Sequence, residues 1–442
     1  MNDHRRVSLF TLGCRLNQAE TALIADTFRA RGFAIVPFGA RAEVTIINTC
    51  SVTARADANC RNAIRRARKA SPQGVIAAVG CYAQADTDTV RAVLGVDYVI
   101  GTDKKLKAAE LIDPETRPFT PEVIVSRRHT DELVEFDAVG YYPDSTRANI
   151  KVQDGCNFGC SFCILPRVRG KARSRRMADI VTEARQLAER GHKEIVLAGV
   201  SIGSYAFEDF RLVDVARNIE AIDGVRRVRL SSIEPTTVDL ELLRWMAESE
   251  KACRHLHVPV QSGADSVLKK MRRVYTLDDF RRLIDRAVSL MPNIGLGTDV
   301  IVGFPGESDA EFEDTVRFIE EIPFSYLHVF SYSDRPRTLA ARLPNKNPPE
   351  TTKHRSDILH RLGEEKKRAF AERFIDRPVE ILVERKDESG RWNGFTGEYV
   401  KVYFESAEEL GNRFVSVVPE RYHDGELTGN VWEPVPHSTG AF

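Results

Sequence analysis

The sequence predicts an α/β fold in three parts: an amino-terminal open parallel α/β domain over residues 1–140, a partial (β/α)6 barrel over 145–374, and a small carboxy-terminal antiparallel β-barrel over 375–440. Three observations predict it. Short β-branched runs alternate with helix-like stretches through the first 140 residues, the pattern of a parallel sheet flanked by helices. Six further strand-and-helix repeats follow, which suits a partial barrel. Past Pro378 the hydrophobic period drops to two, as in strands with one buried face.

Runs at 7–12, 44–48, 75–79 and 98–100 carry the first sheet, and the first three each end beside a Gly or Asn and then a cysteine: Gly13-Cys14, Asn48-Thr49-Cys50 and Gly80-Cys81. In an open α/β sheet, groups that follow the strand carboxyl ends gather at one edge, where such folds bind ligands. Three cysteines far apart in sequence therefore have a common meeting point. Residues 117–144, rich in Pro, Asp and charge, read as a linker with some edge-strand character. Barrel strands are expected at 148–152, 194–198, 226–231, 255–259, 297–302 and 326–330, with helices such as 180–190 and 277–291 between them. Chemistry in such a barrel sits at the strand carboxyl ends. A long charged helix, 351–374, leads to alternating runs at 379–383, 399–404 and 413–417, separated by turns at Ser389-Gly390 and Leu410-Gly411-Asn412.

Hydrophobic content of 42% with 29% charged residues suits a globular chain and argues against a disordered one. No apolar run approaches a membrane span, and the polar start MNDHRR lacks a signal peptide's apolar core, so a cytoplasmic protein without a membrane partner is expected. Basic and acidic residues number 64 each, so any case for a nucleic-acid partner rests on local clusters. Eight cysteines are too sparse for a disulfide scaffold and read as metal ligands or catalytic groups.

The sharpest signal is Cys156-Asn-Phe-Gly-Cys160-Ser-Phe-Cys163, three thiols directly after the first expected barrel strand. A four-iron cubane usually takes four thiolates, so three leave one iron open to chelate a substrate. The alternative is a zinc knuckle, which needs a fourth Cys or a His. The nearest downstream histidine is His192. The alternative for Cys14, Cys50 and Cys81 is three buried free thiols; Cys60 and Cys253 read as small structural residues.

The CxxxCxxC run, with Phe162 before its last cysteine, resembles the signature of radical S-adenosylmethionine (SAM) enzymes. The resemblance implies that Cys156, Cys160 and Cys163 hold a 4Fe-4S cluster that binds SAM and cleaves it to a 5'-deoxyadenosyl radical. Stretches after later strands fit the same family. Gly199 and Ser201, in Gly199-Val-Ser-Ile-Gly-Ser-Tyr205, would let backbone approach the methionine part; Ser232 and Glu234 match polar positions at the ribose or methionyl end; Val302, in Val300-Ile-Val-Gly-Phe-Pro-Gly306, belongs to the apolar strand and turn that stack on adenine. Each alone is also what an ordinary glycine turn looks like.

Leu12-Gly-Cys-Arg-Leu-Asn-Gln-Ala-Glu-Thr21, Asn48-Thr-Cys-Ser-Val-Thr53 and Val79-Gly-Cys-Tyr-Ala-Gln84 resemble the amino-terminal domain of the methylthiotransferase branch of these enzymes. That implies a second, auxiliary 4Fe-4S cluster on Cys14, Cys50 and Cys81, which carries the sulfur to be inserted. It implies two SAM molecules, one methylating that sulfur and one yielding the radical that removes hydrogen from adenine C2. The last domain resembles TRAM, an RNA-binding barrel, and Arg391, Trp392, Lys401, Tyr403, Arg413 and Phe414 supply cations and aromatic faces for it. Basic residues at 167–176, among them Arg169, Lys171, Arg173 and Arg175, follow the cluster loop and suit phosphate contacts; the run 269–273 reads as a solvated helix face. The implied partners are the tRNA anticodon loop, a reductant protein and a sulfur donor. Gly13-Cys-Arg-Leu-Asn-Gln-Ala-Glu-Thr21 and the 253–263 stretch most resemble the branch acting on threonylcarbamoyladenosine. Branches acting on isopentenyladenosine or a ribosomal-protein aspartate usually carry Asp-Ser where Glu20-Thr21 stands here.

Overall fold

The computed structural model describes residues 5–126, 139–143 and 145–432. Residues 1–4, part of the linker expected at 117–144 (127–138 and 144) and residues 433–442 lie outside them. Strands β1 (Arg6–Thr11), β2 (Ala34–Val36), β3 (Val44–Thr49), β4 (Val75–Gly80), β5 (Tyr98–Ile100) and β6 (Glu122–Ile124) form an all-parallel sheet in the order β2-β1-β3-β4-β5-β6. Helices cover both faces, so β3 and β4 are buried along their whole length; β4 is apolar throughout, and β3 adds buried Thr45, Asn48 and Thr49 to its apolar residues. The edges are β2 and β6, three residues each, too short to stand out as periodic runs.

The second unit begins with β7 (Arg147–Lys151), followed by β8 (Gln153–Asp154) and β9 (Arg173–Ser174), which pair antiparallel and pinch the loop between them. After β10 (Glu194–Ala198) come a small hairpin of β11 (Ala206–Phe207) and β12 (Phe210–Arg211), then β13 (Arg227–Leu230), β14 (His255–His257), β15 (Gly295–Val302) and β16 (Tyr326–Ser331). The parallel half-sheets β13-β10-β7 and β14-β15-β16 meet at a bridge between Val228 and Ala252. That leaves β7 and β16 as open edges. The amino-terminal domain closes the gap. Its helix Arg15–Ala30 packs along β7, while the Ala54 amide donates to Ser333 Oγ at 3.1 Å and Arg335 donates to Asp57 at 2.6 Å, just beyond β16.

Helix Pro349–Glu372 leads to a closed barrel of β17 (Val379–Lys386), β18 (Trp392–Phe395), β19 (Lys401–Phe404), β20 (Phe414–His423) and β21 (Glu426–Val431), in the order β17-β18-β19-β21-β20. The expectation of antiparallel pairing throughout needs one correction: β19 and β21 are parallel. Five strands cannot alternate direction around a closed ring, so one pair must run the same way. The β18–β19 turn seals the amino-terminal mouth of the larger barrel, where Arg229 donates to the Thr396 and Gly397 carbonyls at 3.0 and 3.1 Å. Among the described residues, no helix is long and apolar enough to cross a membrane.

Candidate functional site

The loop between β8 and β9 places Cys156, Cys160 and Cys163 around one cavity at the strand carboxyl ends. Gly155 makes the entry possible: its φ is +72°, and a Cβ there would lie 1.9 Å from the Lys171 carbonyl. Gln153 fixes the same turn, donating to the Asp154 and Gly155 carbonyls and accepting from the Val200 and Ser201 amides. Farther on, the Ser161 amide donates to Met271 and its hydroxyl to Lys270, which brings Arg273 to the cysteines. Arg273 donates to Cys160 Sγ at 3.0 Å and pairs with Glu234. Sequence reasoning took Arg273 for part of a solvated face; its side chain is 2% exposed. Burial pushes the Cys163 thiol up to about 12 and also raises Cys156 and Cys160, so metal binding here would displace protons.

Phe162, Ser232 and Glu234 line this cavity. Three other expected SAM contacts do not. Strand alternation turns Val302 into the core beneath the helices and presents Ile301 instead. Ser201 is buried, with its amide on Gln153 and its hydroxyl on Ser204, while Gly199 packs so closely on Gln153 that a Cβ would meet its carbonyl at 3.0 Å. Val200, between them, is the residue on the cavity wall.

Across the cavity stand Val52 and Thr53, from the loop that follows Cys50. Cys14, Cys50 and Cys81 follow β1, β3 and β4, and the motif residues around them stitch those strand ends together. Asn17 donates to the Leu12 and Thr49 carbonyls, Asn48 donates to Asn17 and Thr21, and Thr49 donates to Val79. Gly13, at φ +99°, lets the chain pass Cys50: a Cβ there would sit 2.8 Å from its Sγ. Burial pushes the Cys50 thiol up to about 12, and Cys81 and Cys14 push it the same way. Cys60 is a structural neighbour whose Sγ contacts the Cys50 amide and carbonyl at 3.4 Å.

Zinc would draw its thiolates into a compact tetrahedron, and among the described residues no three cysteine sulfurs lie within 4.8 Å of one another. Three thiolates are the donor set of a four-iron cubane with one iron left open, and each triad supplies that set. His257, Asp299 and His328 do come within that distance, yet their polar atoms already satisfy one another. Tyr326 bridges His255 and His257, and both His257 and His328 bond Asp299, at 2.8 and 3.2 Å. Burial opposes ionisation of Asp299, but the two imidazoles hold it well below the usual carboxylate range at the cavity wall.

The expected RNA contacts need correction too. Arg169 and Arg175 are buried and ion-paired, with Glu20 and Asp154 and with Glu183 respectively, because they fasten the cluster loop to its surroundings. Trp392 lies in the core of the small barrel with its indole N–H on the Glu408 carbonyl, and Phe414 stacks under Arg226 and Arg227 at the domain contact. Of the remaining expected residues, Tyr403 is half-buried between Lys401 and Arg391, the latter ion-paired with Asp387 and Glu426, and Arg413 is exposed. No sequence motif distinguished a buried arginine from an exposed one within a basic run.

A cysteine-walled cavity at the mouth of a partial (β/α)6 barrel, bridged by a second cysteine-bearing domain, defines a radical SAM enzyme with an added cluster domain. Comparison with known proteins agrees: the Radical SAM superfamily matches residues 150–319, and the Uncharacterized protein family UPF0004 matches residues 6–101. The chain belongs to the radical SAM methylthiotransferase family, whose members hold two 4Fe-4S clusters and use SAM. It is 38% identical to the threonylcarbamoyladenosine tRNA methylthiotransferase MtaB of Bacillus subtilis, over 93% of each chain. It is 35% identical to the Aquifex aeolicus protein of that name, covering 92% of this chain and 98% of the relative. With the tRNA-2-methylthio-N(6)-dimethylallyladenosine synthase of a Sulfurihydrogenibium species it shares 31% over 95% and 98%. Among solved structures, the radical SAM methyltransferase TsrM from Kitasatospora setae superposes with a TM-score of 0.54 at 16% identity, covering 76% of this chain and 77% of that one, a likeness of fold.

Proposed function

We propose that this enzyme converts N6-threonylcarbamoyladenosine at position 37 of tRNA into its 2-methylthio derivative. The observation that carries the reading is the set of relatives: those named for threonylcarbamoyladenosine reach 38% identity, those named for dimethylallyladenosine 32%. Cys156, Cys160 and Cys163 are assigned to the SAM-binding cluster and Cys14, Cys50 and Cys81 to the auxiliary one. The first cluster, when bound, supplies the electron that cleaves SAM, and the second holds the sulfur to be transferred. Phe162, Val200, Ser232, Glu234 and Ile301 form the wall against which SAM is held. Adenine C2 carries no acidic proton, so the protein's contribution is positioning and exclusion of water. Placing the two domains face to face over one cavity does both. The Tyr403 patch of the small barrel, with Arg391, Lys401 and Arg413, grips the RNA. An electron donor and a sulfur donor complete the balance, and the cytoplasm is where these partners and the tRNA would be met.

The test is nucleoside mass spectrometry of tRNA incubated with the reconstituted enzyme, SAM and a reductant. The expected product is the 2-methylthio form of threonylcarbamoyladenosine. If that nucleoside stays unmodified while an isopentenyladenosine is methylthiolated, the substrate assignment passes to the second group of relatives. Modification of a ribosomal protein alone would discard RNA as the substrate.

A further inference from the structure

The guanidinium of Arg169 is 1% exposed, yet each of its five N–H donors has an acceptor. Nε donates to Cys81 Sγ at 3.2 Å. One terminal nitrogen donates to Glu20 at 3.1 Å and Asp154 at 3.0 Å, the other to Asn17 at 2.8 Å and Glu20 at 3.0 Å. Cys81, Asn17 and Glu20 belong to the amino-terminal domain; Asp154 and Arg169 belong to the barrel. Lys105 and Lys151 also pair with Glu20, and Lys151 with Asp154 at 2.7 Å, all of them buried. Cations and carboxylates therefore crowd together beside Cys81 in a space closed to water, and the Arg169 Nε–H is aimed at its sulfur.

The covalent route to Arg169 matters as well. It ends the short helix Leu165–Arg169, which starts two residues after Cys163. Ile164 and Val168 pack against Cys81, and the Thr102 hydroxyl donates to the Val168 carbonyl at 2.5 Å. The segment that carries one cysteine triad therefore delivers the cation that touches the other.

We propose that Arg169 is a positioning residue of the auxiliary cluster: its N–H···S bond and its charge raise that cluster's reduction potential and hold the Cys14, Cys50 and Cys81 site against the SAM loop. The inference rests on the assignment of that triad to a 4Fe-4S cluster. Reduction adds negative charge to a cluster, and a cationic donor on a ligand sulfur favours the more negative state. Arg273 stands in the same relation to Cys160, so the two arginines serve as controls for each other.

The experiment is a redox titration of the anaerobically reconstituted full chain followed by electron paramagnetic resonance. Cys81→Ala and Cys160→Ala proteins, each expected to keep one cluster, tell the two signals apart, and added SAM identifies the cluster that chelates it. Arg169→Gln is expected to leave the auxiliary cluster about tenfold less reduced at a fixed potential, about 59 mV for a one-electron couple. The SAM-responsive cluster should not move, and Arg169→Lys, which keeps the charge, should recover most of the shift. Should Arg169→Gln fail to retain iron, isotopically labelled arginine provides the second reading: a nitrogen coupling to the reduced auxiliary cluster in the unaltered protein, lost in Arg169→Lys. An unmoved midpoint in Arg169→Gln, or no such coupling, in protein holding about eight irons overturns the inference. About four irons in the unaltered protein overturns the cluster assignment beneath it instead.

Discussion

Cys156, Cys160 and Cys163 occupy eight consecutive residues of one loop, whereas Cys14, Cys50 and Cys81 arrive from three strand ends of a parallel sheet. The first triad is arranged within its own domain: Gly155, the Gln153 clamp and the Ser161 bonds to Lys270 and Met271 shape it before any other domain is needed. The second exists only when β1, β3 and β4 are in register and the Asn17, Asn48 and Thr49 side chains have closed their ends. One site is encoded in a motif and the other in a topology. Losses of tertiary structure should therefore reach the auxiliary site first.

The largest expected effect separates the two sites chemically. Cys160→Ala should abolish 5'-deoxyadenosine formation outright. Cys81→Ala should leave SAM cleavage measurable while methylthiolated nucleoside disappears, and each variant should hold about four irons. If Cys81→Ala loses SAM cleavage as completely as Cys160→Ala, the sites are not independent and the comparison fails.

Next comes the buried charge cluster that joins the domains. Glu20 pairs with Lys105, Lys151 and Arg169, all within the closed interior. Burial alone would raise its pKa, but Arg169, Lys105 and Lys151 outweigh that and hold Glu20 far below the usual carboxylate range; Lys151 and Arg169 do the same for Asp154. Glu20→Gln leaves three cations against one carboxylate. Removing one partner of a buried pair costs about 3–5 kcal/mol, which a urea titration would detect. The pH dependence has a definite sign. A carboxylate depressed in the folded state stabilises fully above its unfolded pKa of about 4, and that contribution fades as pH falls toward the folded value. The wild-type domain contact should weaken below about pH 4, and Glu20→Gln should show less of that loss. Equal acid sensitivity in both proteins would place the weak point elsewhere.

Strand existence was legible wherever a run was long and apolar: the four central strands of the first sheet and the six barrel strands stand within a few residues of expectation. The three-residue edges β2 and β6, and β18 and β21 of the small barrel, carry too little pattern to be read. The cysteines could be found because thiols at those spacings are rare. Their supporting residues could not, because a basic run looks the same whether it meets water or a buried carboxylate. Arg169, Arg175 and Arg273 all came from runs read as surface, and Trp392 and Phe414 from a face read as open to RNA. Val302 shows a finer limit: one residue of register decides whether a strand side chain lines the cavity or the core.

The smallest expected effect concerns the floor of the barrel. Tyr399, on the β18–β19 turn, adopts φ +71°, a conformation rare for a bulky residue. Its hydroxyl accepts a hydrogen bond from Arg15 at 2.8 Å, and its ring lies near Arg147, Arg229 and His255, so all three domains meet on one side chain. Burial opposes ionisation, but Arg15, Arg147 and Arg229 bring the phenol below its ordinary pKa, the mark of an oxygen held as an acceptor. Arg15 directly follows Cys14. Tyr399→Phe removes only that oxygen and should cost about 1 kcal/mol, roughly a fivefold change in a local opening equilibrium. Because Arg15 is tied to the strand-end triad and not to the loop triad, a chelator should strip iron from the auxiliary site about fivefold faster while the SAM-responsive cluster keeps its rate. Equal acceleration at both clusters would mean that Tyr399 holds the molecule together generally; no acceleration at either would mean that packing around the ring, without the hydroxyl, carries the contact.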